Sequence, residues 1–153
     1  MLDAFEKKLN GLLIDTYRQL TDVEANMARD ANSPLSISEI HLLEAVGGSP
    51  EGVQSVSGIA AALGITLSSV TIAVGKLVKK GFLYKAKDKK DGRSVRISLT
   101  REGKRIYRMH RYFHYKMIRE LTEGFNQKEK QVLLAGVEKL DHFFKEKAEK
   151  AAK

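Results

Sequence analysis

The sequence has no cysteine, no tryptophan, two prolines and four histidines in 153 residues. Without cysteine there is no disulfide framework, no thiolate metal cluster and no thiol redox sensor. No apolar run approaches the roughly eighteen residues of a membrane span, and the opening MLDAFEKKLN lacks the apolar stretch of a signal peptide. A cytoplasmic protein with no membrane partner is the expectation. Catalytic signatures are missing too: there is no H-E-x-x-H pattern, no phosphate-binding glycine loop and no Ser/His/Asp motif. GIAAALG opens no strand-turn-helix phosphate loop. Asp88 and Asp91 form a carboxylate pair, but on a basic stretch with no cleft implied around it. The expected protein is not an enzyme and requires no cofactor.

What is present is concentrated positive charge. The formal net charge is +8, yet Lys76–Arg119 holds sixteen Lys or Arg against three acids, while the rest of the chain carries 11 basic and 16 acidic residues. A basic block inside a mildly acidic chain fits a polyanionic partner. Charge alone would equally describe a solvated face.

Apolar spacing organises the remainder. Leu2, Phe5, Leu9, Leu12, Leu13, Leu20, Val23 and Met27 recur at helical intervals through about Ala28, and ANSP at 31–34 ends the segment. Ser36 with Glu39 forms a capping box for a second helix that stops at Gly47–Gly48. The polar SPEGVQ at 49–54 reads as a loop. Two short helices follow: Val56–Leu63, capped by Ser55 and stopped by Gly64, and Leu67 to about Lys80, capped by Thr66 and stopped by Gly81. Their short connection is that of a helix-turn-helix. Phe82–Lys87 and Val95–Leu99 then read as a hairpin with its turn at Asp91–Gly92. Thr100 opens a long helix to about Thr122, and Asn126 with Glu129 opens a last one carrying Leu133, Val137, Leu140 and Phe144 on one stripe.

The expected fold is mainly α with a small β-hairpin wing: a winged helix-turn-helix lobe at 35–99, flanked by dimerisation helices at 1–34 and 100–153. The terminal helices have little else to bury against, so an intertwined homodimer is expected.

The helix from Leu67 has two faces. Val70, Ala73, Val74, Leu77 and Val78 make a core stripe, and Ser68, Ser69, Thr71, Ile72, Lys76 and Lys79 lie opposite. Small hydroxylated residues at the N-terminal end admit close approach to base edges of double-stranded DNA, and Ile72 suits a thymine methyl. Lys76, Lys79 and Lys80 suit phosphates, which position without specifying sequence. The bland alternative is a polar exposed helix face. In the hairpin, Lys85, Lys87, Lys89, Lys90, Arg93 and Arg96 supply charge, and Arg93 suits a narrow minor groove. Asp88 and Asp91 read as scaffold, accepting hydrogen bonds that hold the loop shape. A winged helix devoted to protein interaction would not need this basic face.

The run VSGIAAALGITLSSVTIAVGKLVKKGFL, the wing DKKDGRSVRISLT and the following REG resemble the MarR (multiple antibiotic resistance regulator) family of bacterial regulators. Asp88, Lys90, Asp91 and Arg93 match its wing pattern, while Gly92 stands where another arginine is common. The resemblance implies a dimer formed by the terminal helices, a palindromic operator, and an effector pocket between dimer and DNA-binding regions. LTREGKRIYRMHRYFHYKMIRELTEG resembles the fatty-acid-synthesis repressors, which respond to acyl chains on acyl carrier protein. The zinc-responsive repressors are the other similar subgroup.

His110 and His114 stand at i and i+4, a spacing that holds a divalent metal. Glu24 and His41 match the remaining places of the zinc subgroup's site, so Glu24, His41, His110 and His114 are the candidate metal ligands. The competing reading puts His41, His110, Phe113, His114 and Met117 around an acyl effector, or simply in the core, since Met and aromatic stripes on helices are more often packing.

Overall fold

The computed structural model describes residues 1–30, 35–87 and 95–151. The expected break at 31–34 and the wing residues Asp88, Lys89, Lys90, Asp91 and Arg93 lie outside the described residues. The elements are α1 (Ala4–Asp30), α2 (Ile37–Gly47), β1 (Val53–Gln54), α3 (Val56–Leu63), α4 (Leu67–Lys79), β2 (Leu83–Lys87), β3 (Val95–Leu99), α5 (Arg101–Leu121) and α6 (Gln127–Ala151). The chain divides into two units, Met1–Tyr112 and Phe113–Lys153, with α5 contributing to both.

Local chemistry sets the helix starts. Ser36 accepts from the Glu39 amide and the Glu39 carboxylate accepts from the Ser36 amide, closing a capping box at α2. Asn126 and Glu129 do the same before α6. Asp3 and Glu6 form a third such exchange at α1. Ser55 and Thr66 cap α3 and α4. Between them Gly64 takes φ +64°, the left-handed conformation that ends a helix and that a Cβ would strain. Taken together, α3 and α4 bend by 111°, within the range of a helix-turn-helix.

The core of the first unit gathers Ile40, Leu42, Leu43 and Val46 from α2, Ile59 from α3, Val70, Val74 and Leu77 from α4, Phe82, Leu83, Ile97 and Leu99 around the sheet, and Ile106 from α5. The apolar stripe expected on α4 is thus the buried one, with Ala73 and Val78 partly buried beside it.

The sheet differs from the expected two-stranded hairpin. It has three antiparallel strands in the order β1-β3-β2. Leu83 to Lys87 pairs with Leu99 to Val95, and Val53 and Gln54 pair with Ser98 and Ile97 on the other edge of β3. Two residues of the presumed loop are therefore a strand, recruited by the free edge of β3 rather than by any local pattern.

A knot of contacts joins α4, the sheet and α5. Thr100 donates its amide to the Phe82 carbonyl at 3.1 Å and its hydroxyl to the Gly81 carbonyl at 2.7 Å. The same hydroxyl oxygen accepts from the Gly103 amide at 3.1 Å. Gly103 is buried, and a Cβ there would run into the Phe82 carbonyl oxygen.

Candidate functional site

Because α4 buries Val70, Val74 and Leu77, its opposite face is turned outward by helical geometry. Ser68, Ser69, Thr71, Ile72, Lys76 and Lys79 are all exposed. Ile72 keeps 61% of its surface, and Ile65 and Leu67 beside the turn are exposed as well. The hydroxyls are organised: Thr66 Oγ1 lies 3.0 Å from Ser68 Oγ and 2.9 Å from Ser69 Oγ, and Thr71 donates to the Leu67 carbonyl at 2.8 Å. A groove of about 410 Å³, lined by Ser36, Glu39, Ser69, Ile72, Ala73 and Lys76, runs between the start of α2 and this face.

Lys80, assigned to phosphates by sequence, and Arg96, one of the basic residues of the hairpin, are both paired within the chain. Lys80 Nζ donates to both oxygens of Glu39 at 2.8 and 2.9 Å, tying the end of α4 to the start of α2. Burial pushes the Glu39 carboxyl up, but Lys80 and the Ser36 amide outweigh it and hold it below the usual carboxylate range. Arg96 donates to Glu51 at 3.0 Å across the sheet edge. Neither partner is close in sequence, so no local spacing announced the pairs.

A second cluster sits where α1, α2 and α5 meet in the first unit. Glu24 of α1 and His110 of α5 are buried, at 6% and 2% exposure, and His41 of α2 is beside them. His110 Nε2 lies 3.3 Å from Glu24 Oε1, and His41 Nε2 lies 4.0 Å from Glu24 Oε2. One atom from each of Glu24, His41 and His110 falls within 4.8 Å of the others. Sequence reasoning passed over Glu44, whose Oε1 lies 3.0 Å from His110 Nδ1. The available signal was its position three residues after His41, on the same side of α2. Burial pushes the His110 imidazole down, yet Glu44 and Glu24 outweigh it and hold its pKa above the ordinary histidine range.

The donor chemistry of Glu24, His41 and His110, one carboxylate and two imidazoles, fits a divalent transition metal such as zinc. Two carboxylates, Glu24 and Glu44, also approach the one His110 ring, an arrangement that favours positive charge there. His114 and the remaining effector candidates, Phe113 and Met117, belong to the second unit. There the His114 ring lies 5.2 Å from the Phe113 ring. Phe113 and Met117, with Lys116 and Glu120, line a groove of about 310 Å³.

A three-stranded wing sheet behind a helix-turn-helix with a polar outer helix face defines the class of winged-helix regulators. The sequence profile of the MarR family matches residues 33–94. An uncharacterized HTH-type transcriptional regulator of Bacillus subtilis (strain 168), YhjH, is 30% identical over 134 residues, spanning 87% of this chain and 73% of that protein. The HTH-type regulator PchR of the same organism is 27% identical, spanning 92% and 80%. Among solved structures, Streptococcus pneumoniae FabT in complex with DNA superposes with a TM-score of 0.81 at 26% identity, covering 92% of this chain and 97% of that one. The chain belongs to the MarR family of winged-helix, DNA-binding transcriptional regulators, whose members are not enzymes.

Proposed function

We propose that this protein is a homodimeric repressor that reads a palindromic operator with one copy of α4 per half-site. The observation that carries the reading is the outer face of α4, where exposed hydroxyls and Ile72 occupy the leading turns and Lys76 and Lys79 follow. Ser68, Ser69, Thr71 and Ile72 are assigned to base edges in the major groove, and Lys76 and Lys79 to phosphates. Lys89, Lys90 and Arg93 are assigned to the minor groove and its backbone, on a wing shaped by Asp88 and Asp91. The DNA complex of FabT supports this docking.

Dimerisation has its own support. Leu2, Phe5, Leu9, Leu12 and Leu13 of the N-terminal segment, and Val137, Phe143 and Phe144 of α6, are exposed in the single chain. Exposure of so many large apolar side chains on the terminal helices is the signature of a surface that a partner covers. A second copy of the chain is the occupant assigned here.

The reading is tested by selection from random duplex DNA. Enrichment of an inverted repeat with half-sites about one helical turn apart is expected, with affinity that falls steeply as salt rises. Failure to enrich any sequence would overturn it.

For the signal, the resemblance of Leu99–Gly124 to fatty-acid-synthesis repressors supports an acyl chain presented on acyl carrier protein, with the Phe113–Met117 groove as part of its seat. A second reading, zinc sensing, is favoured by the gathering of Glu24, His41 and His110. Zinc held there would join α1, α2 and α5 through strong ligand bonds. Operator affinity that changes with acylated carrier but not free carrier supports the first. Zinc-dependent thermal stabilisation, lost in His41→Ala/His110→Ala, supports the second.

A further inference from the structure

We infer that Glu44 is the positioning residue of the Glu24–His41–His110 donor set, fixing which nitrogen of His110 faces a bound metal. The inference rests on the zinc reading and gives a role to a carboxylate that reading leaves idle.

The argument begins with the two nitrogens of one ring. His110 is almost wholly buried, so its orientation is set by protein groups rather than water. Nε2 faces Glu24 Oε1 at 3.3 Å, and Nδ1 faces Glu44 Oε1 at 3.0 Å. The second imidazole also turns its Nε2 toward the same Glu24 carboxylate. Nε2 atoms and a carboxylate therefore converge on one side of the His110 ring, and Glu44 alone of these groups stands on the other.

A metal takes the lone pair of a neutral imidazole nitrogen, and the other nitrogen must then carry the proton. A carboxylate accepting that Nδ1–H bond selects the tautomer, locks the ring plane and raises the basicity of Nε2. Glu44 Oε1 stands within ion-pair distance of Nδ1 but off the line of the N–H bond, so a small turn of the Glu44 side chain would make it such an acceptor. It is on α2, as is His41, so one rigid helix presents both a ligand and the orienting group of the other ligand. Its partial exposure, 34%, leaves it outside the buried donor cluster and free of the steric demands of ligation.

The test uses the full-length protein with zinc as the probe, measuring affinity by chelator competition for wild type, Glu44→Ala and Glu44→Gln. Loss of an orienting partner of this kind costs roughly 10–100-fold in metal affinity. Glu44→Ala is expected to fall in that range. Glu44→Gln keeps an acceptor oxygen without the charge and is expected to recover part of the loss. In the zinc-loaded protein, the His110 Nδ1 proton is expected to exchange slowly with water in wild type and faster in Glu44→Ala, read by nitrogen-edited NMR. Wild type that binds no zinc defeats both the zinc reading and this inference. Tight zinc binding with unchanged affinity in both variants defeats the inference and leaves the zinc reading standing. Equal losses in Ala and Gln, matched by equal drops in metal-free melting temperature, make Glu44 a stability residue only and also defeat it.

Discussion

Adding one methyl group at Gly103 is expected to destabilise the protein, although the substitution improves helix propensity. Gly103 lies in the first turn of α5, and an alanine Cβ would collide with the Phe82 carbonyl oxygen, with Phe82 C at 3.2 Å and Leu99 Cδ2 at 3.4 Å. The obstacle is backbone, and that carbonyl already accepts the Thr100 amide. Relief therefore requires moving the chain. Forcing extra volume into a packed site costs about 1–3 kcal/mol, and weakening the Thr100–Phe82 hydrogen bond adds about 1 kcal/mol. The gain from replacing glycine in a helix is about 1 kcal/mol. The balance is a loss of about 1–3 kcal/mol, or roughly 3–10 °C in melting temperature for a chain of this size. Gly75→Ala is the control, because Gly75 sits within α4 and a Cβ there meets nothing within 4 Å. It should raise stability by roughly 0.5–1 kcal/mol. Both variants are to be melted at one protein concentration, since self-association would shift the curve by mass action. A Gly103→Ala protein as stable as wild type would refute the assignment of this glycine to close approach.

Three further outcomes are expected. The Glu39–Lys80 pair makes stability sensitive to acid: the Glu39 carboxyl is held below its ordinary 4.5, so its contribution is full above that value and is lost as pH falls through the lowered one. Lys80→Met should remove that part of the acid dependence at a cost of about 1 kcal/mol or less near neutrality, measured by urea titration at pH 7 and pH 3.5. Lys76→Ala should weaken binding to all duplexes alike and reduce the salt slope by about 1, whereas Ser69→Ala should alter the preferred sequence, both read by fluorescence anisotropy. Phe144→Glu should shift the protein toward monomer in sedimentation and weaken operator binding with it, since paired half-sites need paired subunits.

Much of the architecture is legible because it is local. Capping residues such as Ser36, Ser55, Thr66 and Asn126 act within one helical turn, so their spacing alone marks the starts of α2, α3, α4 and α6. The end of the wing run and the REG that follows it are equally readable, and their Thr100 and Gly103 are where three elements are cinched together. What escaped is non-local. Val53 and Gln54 become a strand only because β3 offers them an edge. Lys80 looks like a phosphate ligand until the fold brings Glu39 to it. Glu44 had no visible partner until α5 set His110 against it. Glu24, His41 and His110 come from three helices, and family likeness rather than spacing named them together.

The central place of β3 has a consequence for the order in which the first unit assembles. Its pairing with β2 needs only a hairpin to close, a rapid event of about 1–10 μs. Its pairing with β1 joins Gln54 to Ile97, and between those residues lies the whole of α3 and α4. Two residue pairs thus zip shut a loop that contains the whole helix-turn-helix, and they can do so only after that loop has folded back on itself. Amides of β1 should then lose protection from hydrogen exchange together with those of α3 and α4. The smallest element among the described residues would serve as the latch of this unit.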